Sequence, residues 1–135
     1  MAKKVLVPIA NGSEEIEAVC IIDTLRRAGL EVTVASVADV QIEASRGVKI
    51  VADASIGDCA GQTYDAIVLP GGMPGAEHLR DSAPLVEMLK KQKDAGRLYA
   101  AICASPAVVF QHHGLLEGVR ATDGTTVKQA PITGG

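Results

Sequence analysis

Three short segments of the sequence carry residue types from which a reactive thiol site can be built. Cys103 follows the apolar run Leu98–Ile102 and precedes Pro106, a residue type common in the first turn of a helix. A cysteine between a strand and a helix N-terminus lies near oriented backbone N–H groups, which favour the thiolate form. From spacing alone, a buried and unreactive cysteine is an equally open interpretation.

A glycine-rich segment supplies possible partners for this thiol. The strand-like run Ala66–Leu69 leads into the segment Pro70–Gly75, which contains three glycines. Glycines allow backbone N–H groups to come close to a ligand. We expect the N–H groups of Gly72 and of the residue after Cys103 to form an oxyanion site, as at other nucleophile elbows.

Glu17 is the candidate proton carrier. At helical spacing it shares a stripe with Ile21 and Ala28, which places it toward the apolar side of the first predicted helix. A partly desolvated carboxyl group beside a thiol can act as a general acid or base. The alternative is a solvated glutamate that serves the helix dipole, a role that suits Glu14 and Glu15 better.

The other two cysteines are expected to be structural or unreactive. Cys20 lies beside apolar residues of the first predicted helix and is expected to pack there, whereas Cys59 lies between glycines and is expected in a surface loop. Three cysteines without metal-like spacing predict reduced thiols in a cytoplasmic protein, with no metal site.

The histidines offer no clear partner for Cys103. His112 and His113 fall about two helical turns beyond it, at the far end of its helix, where the hydrogen bond of a Cys–His pair is not expected. His78 follows the glycine-rich segment and is expected at the surface.

The segments that position these residues alternate between β-branched runs and helical patterns. Strands are predicted at 5–10, 32–36, 66–69 and 98–102. A further short strand is predicted at 48–52, in a hairpin or excursion with the stretch before it. Helices are predicted from the candidate N-cap Ser13 to about Ala28, from 83 to 95, and from Pro106 toward Gly114. Pro8 lacks a backbone donor and argues against a central position for the first strand. This order predicts an α/β doubly wound sheet whose ligands bind at the carboxyl ends of the strands.

Composition limits the classes of function. The 135 residues are 47% hydrophobic and 21% charged, which predicts one globular domain over residues 1–135 rather than a disordered chain. Aromatic residues make up 2% and the net charge is −3, which disfavours nucleic acid and anionic membranes as partners. No apolar run reaches the roughly 18 residues of a membrane helix, and the first run predicts a strand rather than a signal peptide.

Four motifs in order resemble those of one known family. They are Gly12-Ser-Glu-Glu-Ile-Glu17, Ser45-Arg-Gly-Val48, Val68-Leu-Pro-Gly-Gly72 and Ala100-Ala-Ile-Cys-Ala104. Together they resemble the ThiJ/PfpI superfamily, in its branch of Parkinson-disease-linked protein deglycases and glyoxalase III enzymes. The resemblance covers roughly residues 3 to 120, and the joint signal is far more specific than any single motif.

The resemblance implies a flavodoxin-like sandwich, similar to class I glutamine amidotransferases, and a homodimer. It implies Cys103 as the nucleophile, Glu17 as the glutamate that hydrogen-bonds it, and Gly71, Gly72 and Ala104 at the oxyanion and substrate site. Arg46 matches an arginine near the pocket. The implied activity is cofactor-free, glutathione-independent conversion of methylglyoxal or glyoxal to lactate or glycolate, with protein deglycase activity beside it.

Two features depart from the family pattern. The family commonly has a histidine near the site in the strand after the nucleophile helix, whereas Asp123 stands in that region here. The family's domain also continues with another strand and closing helices, so we expect the C-terminal part of this chain to be shortened or altered.

Two further functions remain open on the same thiol. A redox-sensing holding chaperone would use oxidation of Cys103 without turnover. A PfpI-like peptidase or amidase would need a histidine beside Cys103, which the sequence does not place there.

Overall fold

A five-stranded parallel sheet forms the centre of the computed structural model, which describes residues 2–122 and 127–129. The strands of the described residues are β1 (Lys4–Ile9), β2 (Glu31–Ser36), β3 (Gln41–Glu43), β4 (Lys49–Val51), β5 (Ala54–Ser55), β6 (Ala66–Leu69), β7 (Leu98–Ala101), β8 (Arg120–Thr122) and β9 (Val127–Gln129). The sheet order is β5-β2-β1-β6-β7, and β3–β4 and β8–β9 form separate antiparallel pairs. The chain therefore winds outward from β1 in both directions.

Helices cover both faces of this sheet because the strands alternate their side chains between two apolar clusters. Val5, Val7 and Ile9 of β1 pack with α1, whereas Leu6 and residues of β6 pack with the other helices. The helices are α1 (Glu15–Arg27), α2 (Ile56–Cys59), α3 (Gly75–Arg80), α4 (Ala83–Asp94) and a π-helix (Pro106–Gln111). The predicted α/β class with a doubly wound, mostly parallel sheet is thus confirmed.

The prediction that Pro8 argues against a central first strand is wrong, because β1 lies in the middle of the sheet. The register of β1 with β6 ends at Leu6 opposite Ile67. The carbonyl of Ile9 accepts from Val37 on the β2 side, so the nitrogen of Pro8 faces the opposite side, beyond the β6 ladder. The β1–β6 ladder therefore stops where Pro8 has no N–H to donate, while the pairing of β1 with β2 continues past Pro8 to Ile9.

The start of α1 also differs from the prediction. Glu14, rather than Ser13, is the N-cap of α1: its carboxylate accepts from the backbone N–H of Glu17 at 2.9 Å. Ser13 is buried and its hydroxyl instead accepts from the N–H of Ala10. Ser13 precedes the helix, as an N-cap residue would, but its hydroxyl is already bonded within the turn after β1 and does not cap the helix.

The exposures predicted for Cys20 and Cys59 are wrong: Cys20 is exposed and Cys59 is buried. Cys20 is exposed, because it lies on the face of α1 that turns away from the sheet. Cys59 is buried at the end of α2, a four-residue helix that was not predicted, and packs in the same cluster as Tyr64. Short helices such as α2 and α3 are fixed by tertiary packing more than by local propensity. Among the described residues, no helix is both long enough and apolar enough to cross a membrane.

The fold predicts a large cost for truncating the central strand. Leu6 is fully buried between β2, β6 and the helices of one face, so we expect Leu6→Ala to lower the free energy of unfolding by about 2–5 kcal/mol. Leu98→Ala, on the edge strand β7 where the side chain is 63% exposed, is the matched control and should change it by less than about 0.5 kcal/mol. Urea denaturation of the unchanged chain and the two variants measures both changes in the free energy of unfolding. Equal losses of stability in the two variants would contradict the burial of Leu6 in the core.

Candidate active site

Cys103 lies at a strained turn at the carboxyl edge of the sheet. It follows β7 and directly precedes the first helical turn, in which the N–H of Val108 donates to Ala104 O at 2.9 Å. Its φ angle is +60°, the one positive value recorded for a non-glycine residue in the described part of the chain. Such a conformation disfavours an L-residue and is held only where the surroundings fix it. The residue is exposed, so the alternative of a buried cysteine does not apply.

Gly71 brings Cys103 and Glu17 together. A methyl group placed on its α-carbon would lie 2.7 Å from Cβ of Cys103 and 2.8 Å from Oε1 of Glu17. The backbone N–H of Gly71 donates to the same Glu17 oxygen at 2.9 Å. The carboxylate and the cysteine therefore approach the same point from two sides, and only a glycine leaves room for both.

The loop after β6 interlocks with the loop after β1. The N–H of Glu14 donates to Gly71 O at 3.0 Å, and a methyl group on Gly72 would lie 2.4 Å from that same Glu14 nitrogen. Gly72 has a φ of +91°, which a side chain would strain. Within residues 2–122 and 127–129, the structure records no acceptor for the backbone N–H groups of Gly72 and Ala104.

Glu15, near the site, is another residue that the sequence-based prediction assigned wrongly. It is 8% exposed rather than solvated, and its carboxylate accepts from the Ser45 hydroxyl at 2.9 Å and from the N–H groups of Arg46 and Val48. Burial alone raises its pKa, but the hydrogen bonds from its own backbone, Ser45, Arg46 and Val48 outweigh burial and lower the pKa from 4.5 to about 2. The pairing of two distant segments through one carboxylate has no signal in local sequence.

Arg46 is tied to the site region through its backbone. Its N–H donates to both oxygens of Glu15, at 3.1 and 3.0 Å, and its side chain is exposed on the turn between β3 and β4. The hydrogen bonds of the described residues do not bring its guanidinium group to Cys103 or Glu17. The structure thus brings together Glu17, Gly71 and Cys103, with Gly72 beside them, and the proximity of Arg46 to the pocket stays a prediction.

The histidines lie where the sequence predicted. His78 is exposed on α3, and His113 follows the π-helix, where its Nε2 lies 2.8 Å from Arg80 O. Asp123, which stands where the family commonly has a histidine, lies outside the described residues. In the part of the chain that the structure describes, no group of three or more histidine, cysteine or acidic residues is arranged to hold a metal ion.

Comparison with known proteins identifies relatives of this chain. The sequence model of the DJ-1/PfpI family matches residues 3–135. Protein DJ-1 homolog B of Arabidopsis thaliana is 53% identical over 89% of this chain and 28% of its own length. The glutathione-independent glyoxalase DJR-1.2 of Caenorhabditis elegans is 37% identical over 97% of this chain and 68% of its own length. The solved structure of oxidized Toxoplasma gondii DJ-1 aligns with a TM-score of 0.84 at 65% identity, covering 85% of this chain and 63% of that chain.

The fold and the site define a doubly wound α/β protein with a cysteine at a strand-to-helix elbow. The chain belongs to the DJ-1/PfpI family, which confirms the resemblance drawn from the four motifs. It spans less than a third of the length of the Arabidopsis relative and 63% of the Toxoplasma chain.

The environment of Glu15 predicts an acid-sensitive contribution to stability. Because its folded pKa is about 2, below the ordinary 4.5, the stabilisation is complete above pH 4.5 and is lost as pH falls toward 2. We expect Glu15→Gln to lower the midpoint of thermal unfolding at pH 7 and to remove this part of the pH dependence. Glu87→Gln, which neutralises an exposed carboxylate on α4, is the control. Parallel pH profiles of unfolding for Glu15→Gln and the unchanged chain would contradict the assignment.

Proposed function

We propose that this chain is a cofactor-free, glutathione-independent glyoxalase that converts methylglyoxal to lactate and glyoxal to glycolate. The observation that carries the proposal is the meeting of Glu17 and the exposed Cys103 at Gly71, which supplies a nucleophile and a proton carrier at one point. The name of the Caenorhabditis elegans relative supports this choice of substrate. Deglycase activity on early glycation adducts would use the same thiol.

In the first step the Cys103 thiolate attacks the aldehyde carbon of the substrate. The new C–S bond forms as the carbonyl electron pair moves onto oxygen, and the product is a hemithioacetal. The N–H groups of Gly72 and Ala104 are the donors proposed to hold the developing oxyanion, since each has no recorded acceptor within the described residues.

In the second step Glu17 moves a proton between neighbouring carbons. Its carboxylate takes the proton of the former aldehyde carbon, an enediol forms, and the proton returns to the adjacent carbon. The former aldehyde carbon is thereby oxidised and the ketone carbon reduced, so the step requires no external oxidant or reductant. Lactate remains as a thioester on Cys103, and water then breaks the C–S bond to release the acid and the thiol.

Replacing the two central side chains tests this mechanism. We expect Cys103→Ser to abolish methylglyoxal consumption without glutathione, and Glu17→Gln to lower kcat by about 10²- to 10⁴-fold because general acid–base catalysis is lost. Cys20→Ser removes the other exposed thiol and is the control, with turnover unchanged. Lactate production by Cys103→Ser at the rate of the unchanged chain would refute the proposal.

A redox-sensing holding chaperone is the second candidate. The exposed thiol at Cys103 and the oxidized state of the Toxoplasma relative's solved structure favour it. The same set of proteins separates the two functions. A chaperone shows no turnover, and peroxide treatment makes it suppress the aggregation of an unfolded client in a manner that Cys103→Ser removes.

An exposed apolar surface supports the homodimer expected from the family resemblance. Ile16 of α1 is 70% exposed and Val51 of β4 is 66% exposed, and Val19 and Val51 line one groove between the helix and the hairpin. Large apolar side chains grouped in this way are typical of surfaces that bind a partner. We propose that two copies of the chain associate through this surface.

Charge placed on this surface should separate the copies. We expect the double variant Ile16→Glu, Val51→Glu to sediment as a monomer, because two buried charges would oppose association. Leu98→Glu, at an equally exposed apolar position on β7, should leave the dimer intact. A monomeric unchanged chain, or dissociation caused by Leu98→Glu alone, would argue against this interface.

A further inference from the structure

One peptide group of the site is held by hydrogen bonds at both of its ends. The hydroxyl of Ser105 donates to the carbonyl oxygen of Pro70 at 2.6 Å. The N–H of Gly71, which belongs to the same planar peptide unit, donates to Oε1 of Glu17 at 2.9 Å. A continuous path therefore runs from Ser105 through one rigid plane to the carboxylate.

Ser105 is well placed to fix that plane. It is fully buried, and its own backbone N–H donates to Ile102 O at 3.3 Å, so the residue is anchored within the elbow that carries Cys103. The bond that it makes crosses from this elbow to the loop after β6. The elbow that carries the thiol and the carboxylate of Glu17 are thus connected through Ser105, and both also lie against Gly71.

Two physical effects follow from this arrangement. A hydrogen bond to an amide carbonyl polarises the amide, which strengthens its N–H as a donor to a charged acceptor. Because the peptide unit is planar, fixing its carbonyl oxygen also fixes the direction of its N–H. Loss of the Ser105 hydroxyl would leave the Pro70 carbonyl without this partner and free the plane to tilt away from Glu17.

We propose that Ser105 is a positioning residue that sets the carboxylate of Glu17 through the Pro70–Gly71 peptide group. The assignment rests on the proposed function, in which Glu17 moves the proton between the substrate carbons. Ser105 touches no substrate in this scheme. Its effect is on the rate of proton transfer and not on substrate binding.

The first test observes the peptide group directly and needs no turnover. In Ser105→Ala we expect the amide proton resonance of Gly71 to move upfield in NMR spectra, because its hydrogen bond to Glu17 weakens. In Glu17→Gln we expect the same resonance to move, together with the carbonyl carbon of Pro70, although Ser105 is unchanged. Ser36→Ala is the matched control, since it also removes a buried hydroxyl with one backbone partner, the N–H of Ala38.

The second test measures the consequence for the reaction. Ser105→Ala should lower kcat for methylglyoxal about tenfold, the scale of one lost hydrogen bond, and leave KM unchanged. Ser36→Ala should leave both constants unchanged. A rise in KM with kcat unchanged would show a role in binding and overturn the assignment.

The two tests separate the inference from the function beneath it. If the unchanged chain consumes no methylglyoxal, the proposed function fails, and the Gly71 resonance alone decides the role of Ser105. An unmoved Gly71 resonance in folded Ser105→Ala overturns the inference whatever the turnover. If Ser105→Ala does not fold, Ser105→Cys, which replaces the hydroxyl with a weaker donor of similar shape, decides, and an unmoved Gly71 resonance there overturns it.

Discussion

At Gly71 the loop after β6, the first turn of α1 and the elbow after β7 come so close that no side chain fits between them. Each of these segments follows or precedes a different strand of the parallel sheet, so the contact exists only because β1, β6 and β7 are neighbours. The buried strands hold the three segments at one edge. The chemistry proposed for Cys103 and Glu17 depends on this close approach more than on either residue alone.

The strained backbone conformation of Cys103 is held by hydrogen bonds on both sides of the residue. A positive φ angle at a non-glycine residue persists only where neighbouring structure holds it. Here the following residues begin a helical turn at Ala104, and the N–H of Ile102 donates to Leu69 O at 3.1 Å. The elbow is thus fixed on one side by the adjacent strand and on the other by the helix.

The sequence predicted the order of the main strands and helices because each has a clear apolar period and a glycine or proline near its end. It also predicted that Cys103 and Glu17 lie at the same edge, and the motifs identified the family. Glu15 and Cys59 were assigned wrongly because their burial depends on segments that lie far away in the chain: the turn at 45–48 covers Glu15, and the core around Tyr64 covers Cys59. The hydrogen bond from Ser105 to Pro70 joins residues 35 positions apart and has no local signature either.

The contacts of Glu15 have a consequence for how the molecule opens. A two-stranded hairpin such as β3–β4 is marginally stable by itself. This one is held by Ile42 and Ala44, which are buried in the cluster beside α1, by the Glu15 carboxylate, and by backbone bonds such as that from Ser45 to Ser13 O. Protonation of Glu15 would remove the carboxylate contact and leave the apolar and backbone contacts in place. Acid strong enough to protonate Glu15 would therefore loosen the turn at 45–48 first, and the surface proposed for self-association, which includes Val51 of the same hairpin, would weaken with it.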